Sequence, residues 1–153
     1  MFNHRFRKSL IVIGGSGEFG QKITTRFAKP WFKRWQVFNI DATPNPDATA
    51  NFVIEDLHNL DNTKVLDENV LTELHTKLKE HAPEYDAIIN VAKTPNPKVI
   101  ALTDGEDLFE EYERVKRYEM MSSMLMVHLC ASQVMSPDAY ILFNSRLAAM
   151  NYD

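Results

Sequence analysis

Leu10–Gly20, LIVIGGSGEFG, limits what this chain can fold into more than any other stretch, because four apolar residues run straight into a glycine-rich turn. The run Leu10, Ile11, Val12, Ile13 suits a parallel strand covered on both faces. Gly15, Gly17 and Gly20 follow at the G-x-G-x-x-G spacing of a dinucleotide site. At that spacing Gly15 is expected to make the tight turn, Gly17 to let the backbone approach a pyrophosphate, and Gly20 to let the next helix pack on the sheet. The helix opening there, through Ser16, Glu18 and Phe19, offers its first N–H groups and the positive end of its dipole to a phosphate.

The flanking sequence agrees with that reading. Phe19, Ile23 and Phe27 fall at i, i+4 and i+8, one apolar stripe on a helix that Pro30 ends. A second strand, Gln36–Ile40, then finishes at Asp41, about 20 residues past the last glycine, where a carboxylate can accept hydrogen bonds from an adenosine ribose. The same residue also reads as a turn former in Asp41-Ala42-Thr43-Pro44.

Composition narrows the function classes. At 153 residues the chain fits one domain spanning 1–153, and a net charge of −4 gives no basic field for nucleic acid or an anionic membrane surface. Its richest apolar stretch, Met120–Ala131, is broken by Ser122, Ser123 and His128, so no bilayer span is expected. The single Cys130, in an apolar helical stretch, suits a buried thiol in a reducing compartment such as the cytoplasm. The basic, acid-free start MFNHRFRK leaves a mitochondrial address open.

Further along, the aromatics of Pro30–Trp35 are expected to cover the end of the sheet, and TPNPD (Thr43–Asp47) reads as a turn-rich loop. Ala50–Ile54 reads as a third strand ending at Glu55-Asp56. Asp56 stands where it could bond an adenine amino group or serve as a helix cap. Leu71, Leu74 and Leu78, with His75 on the same side, mark an amphipathic helix closed by Pro83; His75 and His81 carry no catalytic signal. Tyr85–Ala92 is a central strand bringing Asn90, Val91 and Ala92 to the crevice, and the proline-stiffened Lys93–Lys98 follows. Lys93 reads as a phosphate contact or as an ordinary exposed lysine. The longest helix is expected over Asp107–Met135, stopped by Ser136-Pro137, with Met120, Met124 and Met126 on a spare apolar side facing another helix or subunit. A fifth strand, Ala139–Phe143, precedes Ser145.

GGSGEFG, NIDATPNPDATANFVIED, DAIINVA, SSMLMVHLCAS and AYILFNS resemble, in that order, the short-chain dehydrogenase/reductase family, and within it the quinonoid dihydropteridine reductases. The more specific part is Asp41 followed by Asn45, Ala48 and Ala50, and the likeness runs from roughly Lys8 to Met150. It implies an α/β, Rossmann-type doubly wound parallel sheet of about five strands, NADH as cofactor, hydride transfer to a quinonoid dihydropterin, and a homodimer built through the long helix. By the same resemblance Gly15, Ser16, Gly17, Glu18, Phe19, Gly20, Asp41, Asp56, Val91, Ala92 and Lys93 match cofactor-contacting positions.

The sequence departs from the family in three places. Lys93 stands where a glycine usually lets the nicotinamide ribose approach, and Ser145 lies near the serine that often ends the fifth strand, a weak catalytic candidate. The family's Tyr-x-x-x-Lys pair belongs on a helix after the fifth strand, and these 153 residues stop first. Tyr112 and Lys116 have the pair's spacing but precede that strand, and Tyr152 has no lysine after it. Two readings follow: the cofactor-binding part of an oxidoreductase, or a non-catalytic dinucleotide-binding or assembly subunit derived from it.

Overall fold

The computed structural model describes residues 7–29, 35–58, 66–93 and 105–143. Within these residues five strands form one parallel sheet: β1 (Lys8–Ile13), β2 (Trp35–Asp41), β3 (Ala50–Val53), β4 (Tyr85–Asn90) and β5 (Met135–Phe143), in the order β3-β2-β1-β4-β5. Among the described residues, three helices connect them, α1 (Glu18–Ala28), α2 (Glu68–His81) and α3 (Gly105–Ala131), and a 3-10 turn spans Glu55–His58. The strand order reverses between β1 and β4, so a crevice opens outside their carboxyl ends, the usual place for a ligand in such sheets.

Both faces of the sheet are covered at β1 and the strands beside it, which is why β1 reads as an unbroken apolar run, whereas Tyr140–Phe143 of β5 are exposed. Ile11, Ile13, Phe38, Ile40, Phe52 and Ile88 meet Leu74 and Leu78 of α2 and Leu125, Met126 and Leu129 of α3. On the opposite face Leu10, Val12, Val37 and Ala87 meet Ile23 and Phe27 of α1. Tyr85, whose phenol burial pushes well above the ordinary tyrosine range, donates its hydroxyl proton to the Leu78 carbonyl at 2.8 Å. Asp67 caps α2 by accepting from the Val70 amide at 2.9 Å.

Several expectations need correction. The buried face of α1 carries Gly20 and Thr24, flanked by Ile23 and Phe27, while Phe19 is 56% exposed: a glycine lets the helix sit too close to the turn for an aromatic ring to share that face. The long helix ends at Ala131, not Met135, because Gln133 adopts a left-handed backbone (φ 58°) that reverses the chain. Ser136 and Pro137 therefore lie inside β5; an edge strand tolerates proline, and its pairing with β4 is irregular there, jumping from Tyr85↔Met135 to Ala87↔Tyr140. Met126 is fully buried in the core rather than facing outward with Met120 and Met124, which are exposed. Two strands also end earlier than expected, β3 at Val53 and β4 at Asn90, leaving Ile54, Val91 and Ala92 beyond them.

The other apolar expectations are met in part. Trp35 opens β2 and packs edge-on against Phe27 at 5.6 Å, whereas 30–34 lie outside the described residues. Cys130 is half-buried against the core, and burial raises its thiol pKa. Among the described residues, no helix is long and apolar enough to cross a membrane, and no cluster of His, Cys, Asp or Glu could hold a metal ion.

The Thr24 hydroxyl is buried with no hydrogen-bond partner among the described residues. Replacing it with the isosteric valine removes an unsatisfied polar group, so Thr24→Val should add about 1 kcal/mol of stability and raise Tm by about 2–4 °C. A calorimetric melt in which Tm falls would mean that the hydroxyl is bonded in solution.

Candidate functional site

The glycine turn is fastened between the ends of three strands. Gly14 N donates to the Ile40 carbonyl and Val91 N to the Ile13 carbonyl, both at 2.9 Å, so the turn prolongs the sheet pairing into the crevice. The turn spans residues 14–16, and its left-handed position is Gly14 rather than the Gly15 that the spacing predicts, while a Cβ on Gly15 would meet Asn39 Oδ1 at 2.3 Å. Gly14 has φ +82°, and a Cβ there would lie 2.4 Å from Ala92 Cα. Gly20 supplies the close approach expected of it, since a Cβ would stand 2.1 Å from the Gly14 carbonyl oxygen. At Gly17 a Cβ would meet nothing closer than that same oxygen at 3.5 Å, so this side of the turn is open.

Gly17 also occupies the capping position of α1, so the cap residue has no side chain to accept from the first-turn amides. Glu18 and Phe19 follow it, both exposed, with Glu18 paired to Lys22 at 3.4 Å along the outer face of the helix. An anion could take the place over the turn's amides that no capping side chain fills.

Asp41 ends β2 and is 3% exposed. Its Oδ2 accepts from the Ser16 amide at 2.9 Å and its Oδ1 from the Ala42 amide at 2.7 Å. The carboxylate is thus aimed at the glycine turn, as a ribose-binding acid must be, and is not spent on the Asp41–Pro44 turn alone. Beside it Tyr118 of α3 is buried with Leu57, against Ala42, Ile54, Ala92 and Met121. Burial first, and then the charge of Asp41, push its phenol above the ordinary range.

Across the crevice Val91 is buried, Ala92 backs onto Gly14, and Lys93 is exposed. Asn90 turns inward: its Nδ2 donates to Ser122 Oγ of α3 at 3.2 Å and its Oδ1 accepts from the Ala92 amide at 3.1 Å. This fixes the exit from β4. The structure therefore brings together Gly15, Ser16, Gly17, Gly20, Asp41, Val91 and Ala92 around one crevice. The Asp56 side chain, 94–104 and Ser145 lie outside the described residues. Tyr112 and Lys116 sit exposed on α3, the lysine nitrogen 5.6 Å from the ring centre, and α3 precedes β5.

Sequence reasoning missed Gly14 and the asparagines Asn39 and Asn51. Asn39 Nδ2 donates to Asn51 Oδ1 at 2.9 Å and to Ser16 Oγ at 3.1 Å, tying β2, β3 and the turn together. The available signal was a polar residue inside each of two short strands, WQVFNID and ANFV, at paired positions.

No protein-family model matches the chain, and no curated protein does. Solved structures do. A short-chain dehydrogenase family protein of Francisella tularensis is 19% identical with a TM-score of 0.64, over 96% of this chain and 54% of its own. A short-chain dehydrogenase/reductase of Saccharomyces cerevisiae is 15% identical with a TM-score of 0.66, over 95% of this chain and 56% of its own. An oxidoreductase of Escherichia coli is 15% identical with a TM-score of 0.70, over 100% of this chain and 64% of its own. The chain thus spans little more than half the length of the first of these structures. Over that part it has the Rossmann-type α/β fold that short-chain dehydrogenases and reductases share.

Proposed function

We propose that this chain binds NADH at the carboxyl end of its sheet and serves an oxidoreductase that passes hydride to a quinonoid dihydropterin. The observation that carries the cofactor reading is the placement of Asp41, held by the Ser16 amide at the glycine turn. The residues fit the group: Gly14 and Gly20 bring backbone where no Cβ fits, Gly17 leaves an open side, and the N-terminus of α1 has no side-chain cap. In this reading the α1 amides and Gly17 hold the pyrophosphate, Asp41 takes the adenosine ribose, and Val91 and Ala92 line the path toward the nicotinamide. Bound nicotinamide supplies the hydride; the chain orients it and excludes water.

The pterin rests on the likeness of Asp41, Asn45, Ala48 and Ala50 to the dihydropteridine reductases. Adding quinonoid dihydropterin to the NADH-loaded chain should oxidise NADH slowly, with tetrahydropterin formed in equal amount. Pterin binding without oxidation would favour the assembly-subunit reading, and no pterin binding would overturn the substrate. The single half-buried cysteine fits a reducing compartment. The exposed α3 stripe of Tyr112, Met120, Met124 and Val127 fits pairing with a second copy.

Asp41 also sets the nucleotide preference, because its charge repels a 2′-phosphate and neither Ser16 nor Ala42 brings a cation. Asp41→Ala should narrow the NADH-over-NADPH preference by about 1 kcal/mol, roughly fivefold, in paired titrations. An unchanged ratio would remove Asp41 from the ribose site.

A further inference from the structure

The peptide link between Gly15 and Ser16 is held at both ends by side chains that follow from β2. Its carbonyl oxygen accepts from Asn45 Nδ2 at 2.6 Å, and its N–H donates to Asp41 Oδ2 at 2.9 Å. Asn45 is 1% exposed and is itself fully engaged: its amide donates to Asn51 Oδ1 at 2.7 Å, its carbonyl accepts from Asn51 Nδ2 at 3.0 Å, and its Oδ1 accepts from the Asp47 amide at 2.9 Å. Asn51 is braced by Asn39, which also reaches Ser16 Oγ, and Ser16 Oγ donates to the Thr43 carbonyl at 2.5 Å. The loop between β2 and β3 is thereby clasped onto the glycine turn.

A link that starts at glycine rotates easily, because glycine occupies most backbone regions at little cost. Rotation of this one would swing the Gly15 carbonyl toward the side where an anion binds and take the Ser16 amide off Asp41. We propose that Asn45 is a positioning residue for dinucleotide binding, locking the Gly15–Ser16 peptide so that the turn presents N–H groups to the pyrophosphate and Asp41 to the ribose. This rests on the dinucleotide reading above.

An aspartate in place of Asn45 has the same shape, and only its protonated form can donate to the Gly15 carbonyl. Burial raises the pKa of such an acid, so the switch falls in a measurable range. ADP-ribose, which carries the adenosine and pyrophosphate, is the probe. Asn45→Asp should bind it about tenfold more weakly than the unmodified chain at pH 8, with most of the difference closing by pH 5, while Asn45→Ala stays weak throughout. The unmodified chain run alongside corrects for pH effects from the rest of the site, including the two acids joined to the clasp, Asp41 and Asp47. Independently, adding ADP-ribose to the unmodified chain should shift the NMR signals of the Ser16 amide and the Asn45 side-chain NH2 together. Binding by Asn45→Asp equal to that of the unmodified chain at every pH, or an Asn45 signal that stays still, overturns the lock alone. An unmodified chain that does not bind ADP-ribose overturns the dinucleotide reading with it.

Discussion

Gly20→Ala is expected to lower the melting temperature by about 10 °C and abolish nucleotide binding, while Gly17→Ala three residues earlier leaves the fold nearly intact. A Cβ on Gly20 would stand 2.1 Å from the Gly14 carbonyl oxygen and 2.7 Å from Gly15 Cα, atoms of a backbone fastened to β2 and β4. No flexible side-chain end can yield, so α1 must move off the sheet. Overpacking of this kind costs about 3 kcal/mol or more, and at this chain length each kilocalorie shifts Tm by about 2–4 °C. A Cβ on Gly17 meets only the Gly14 oxygen at 3.5 Å, an ordinary contact, and instead fills the open side where the pyrophosphate would come. Thermal melts with a nucleotide titration on both variants test the contrast. Equal stability in the two would show that α1 does not pack on the turn.

Met126→Glu should leave no folded protein at 25 °C, whereas Met124→Glu should fold. The residues are two apart on α3 and face opposite ways: Met126 is fully buried with Leu125 and Leu129, and Met124 is 61% exposed. A carboxylate forced into that core has no described polar partner, and its cost, several kcal/mol on top of the lost apolar burial, approaches the whole stability of a typical domain. Met124 lies in the same outer stripe as Met120 and Val127. If two copies pair there, each buried methionine contributes about 1.5–3 kcal/mol, so Met124→Glu should dissociate the pair without unfolding it. Circular dichroism decides the first part and sedimentation velocity the second; an unmodified chain that stays monomeric at high concentration removes the interface.

These two cases also mark where the sequence was legible. β1 and β4 could be read because strands covered on both faces are apolar throughout, and Asp41 because its distance from the last glycine places it at the end of the neighbouring strand. The methionines could not be sorted, since α3 is apolar on its outer stripe as well as on its core face, and two apolar faces blur a 3.6-residue period. Pro137 misled for a related reason: proline stops a helix, but on an edge strand it costs no pairing when its missing N–H faces away from the sheet. Phe19 took a place in the helical stripe that Gly20 holds, because closeness of backbone rather than bulk decides packing at that turn. The asparagine clasp leaves no periodic trace; it shows only once the register sets Asn39 beside Asn51.

The central claim is that the crevice beside Gly14, Gly17 and Asp41 takes NADH. Isothermal titration of the unmodified chain with NADH and, in parallel, NADPH tests it most directly. Saturable binding of one NADH per chain, tighter than NADPH, is the predicted result; no NADH binding, or NADPH binding as tight or tighter, would contradict it.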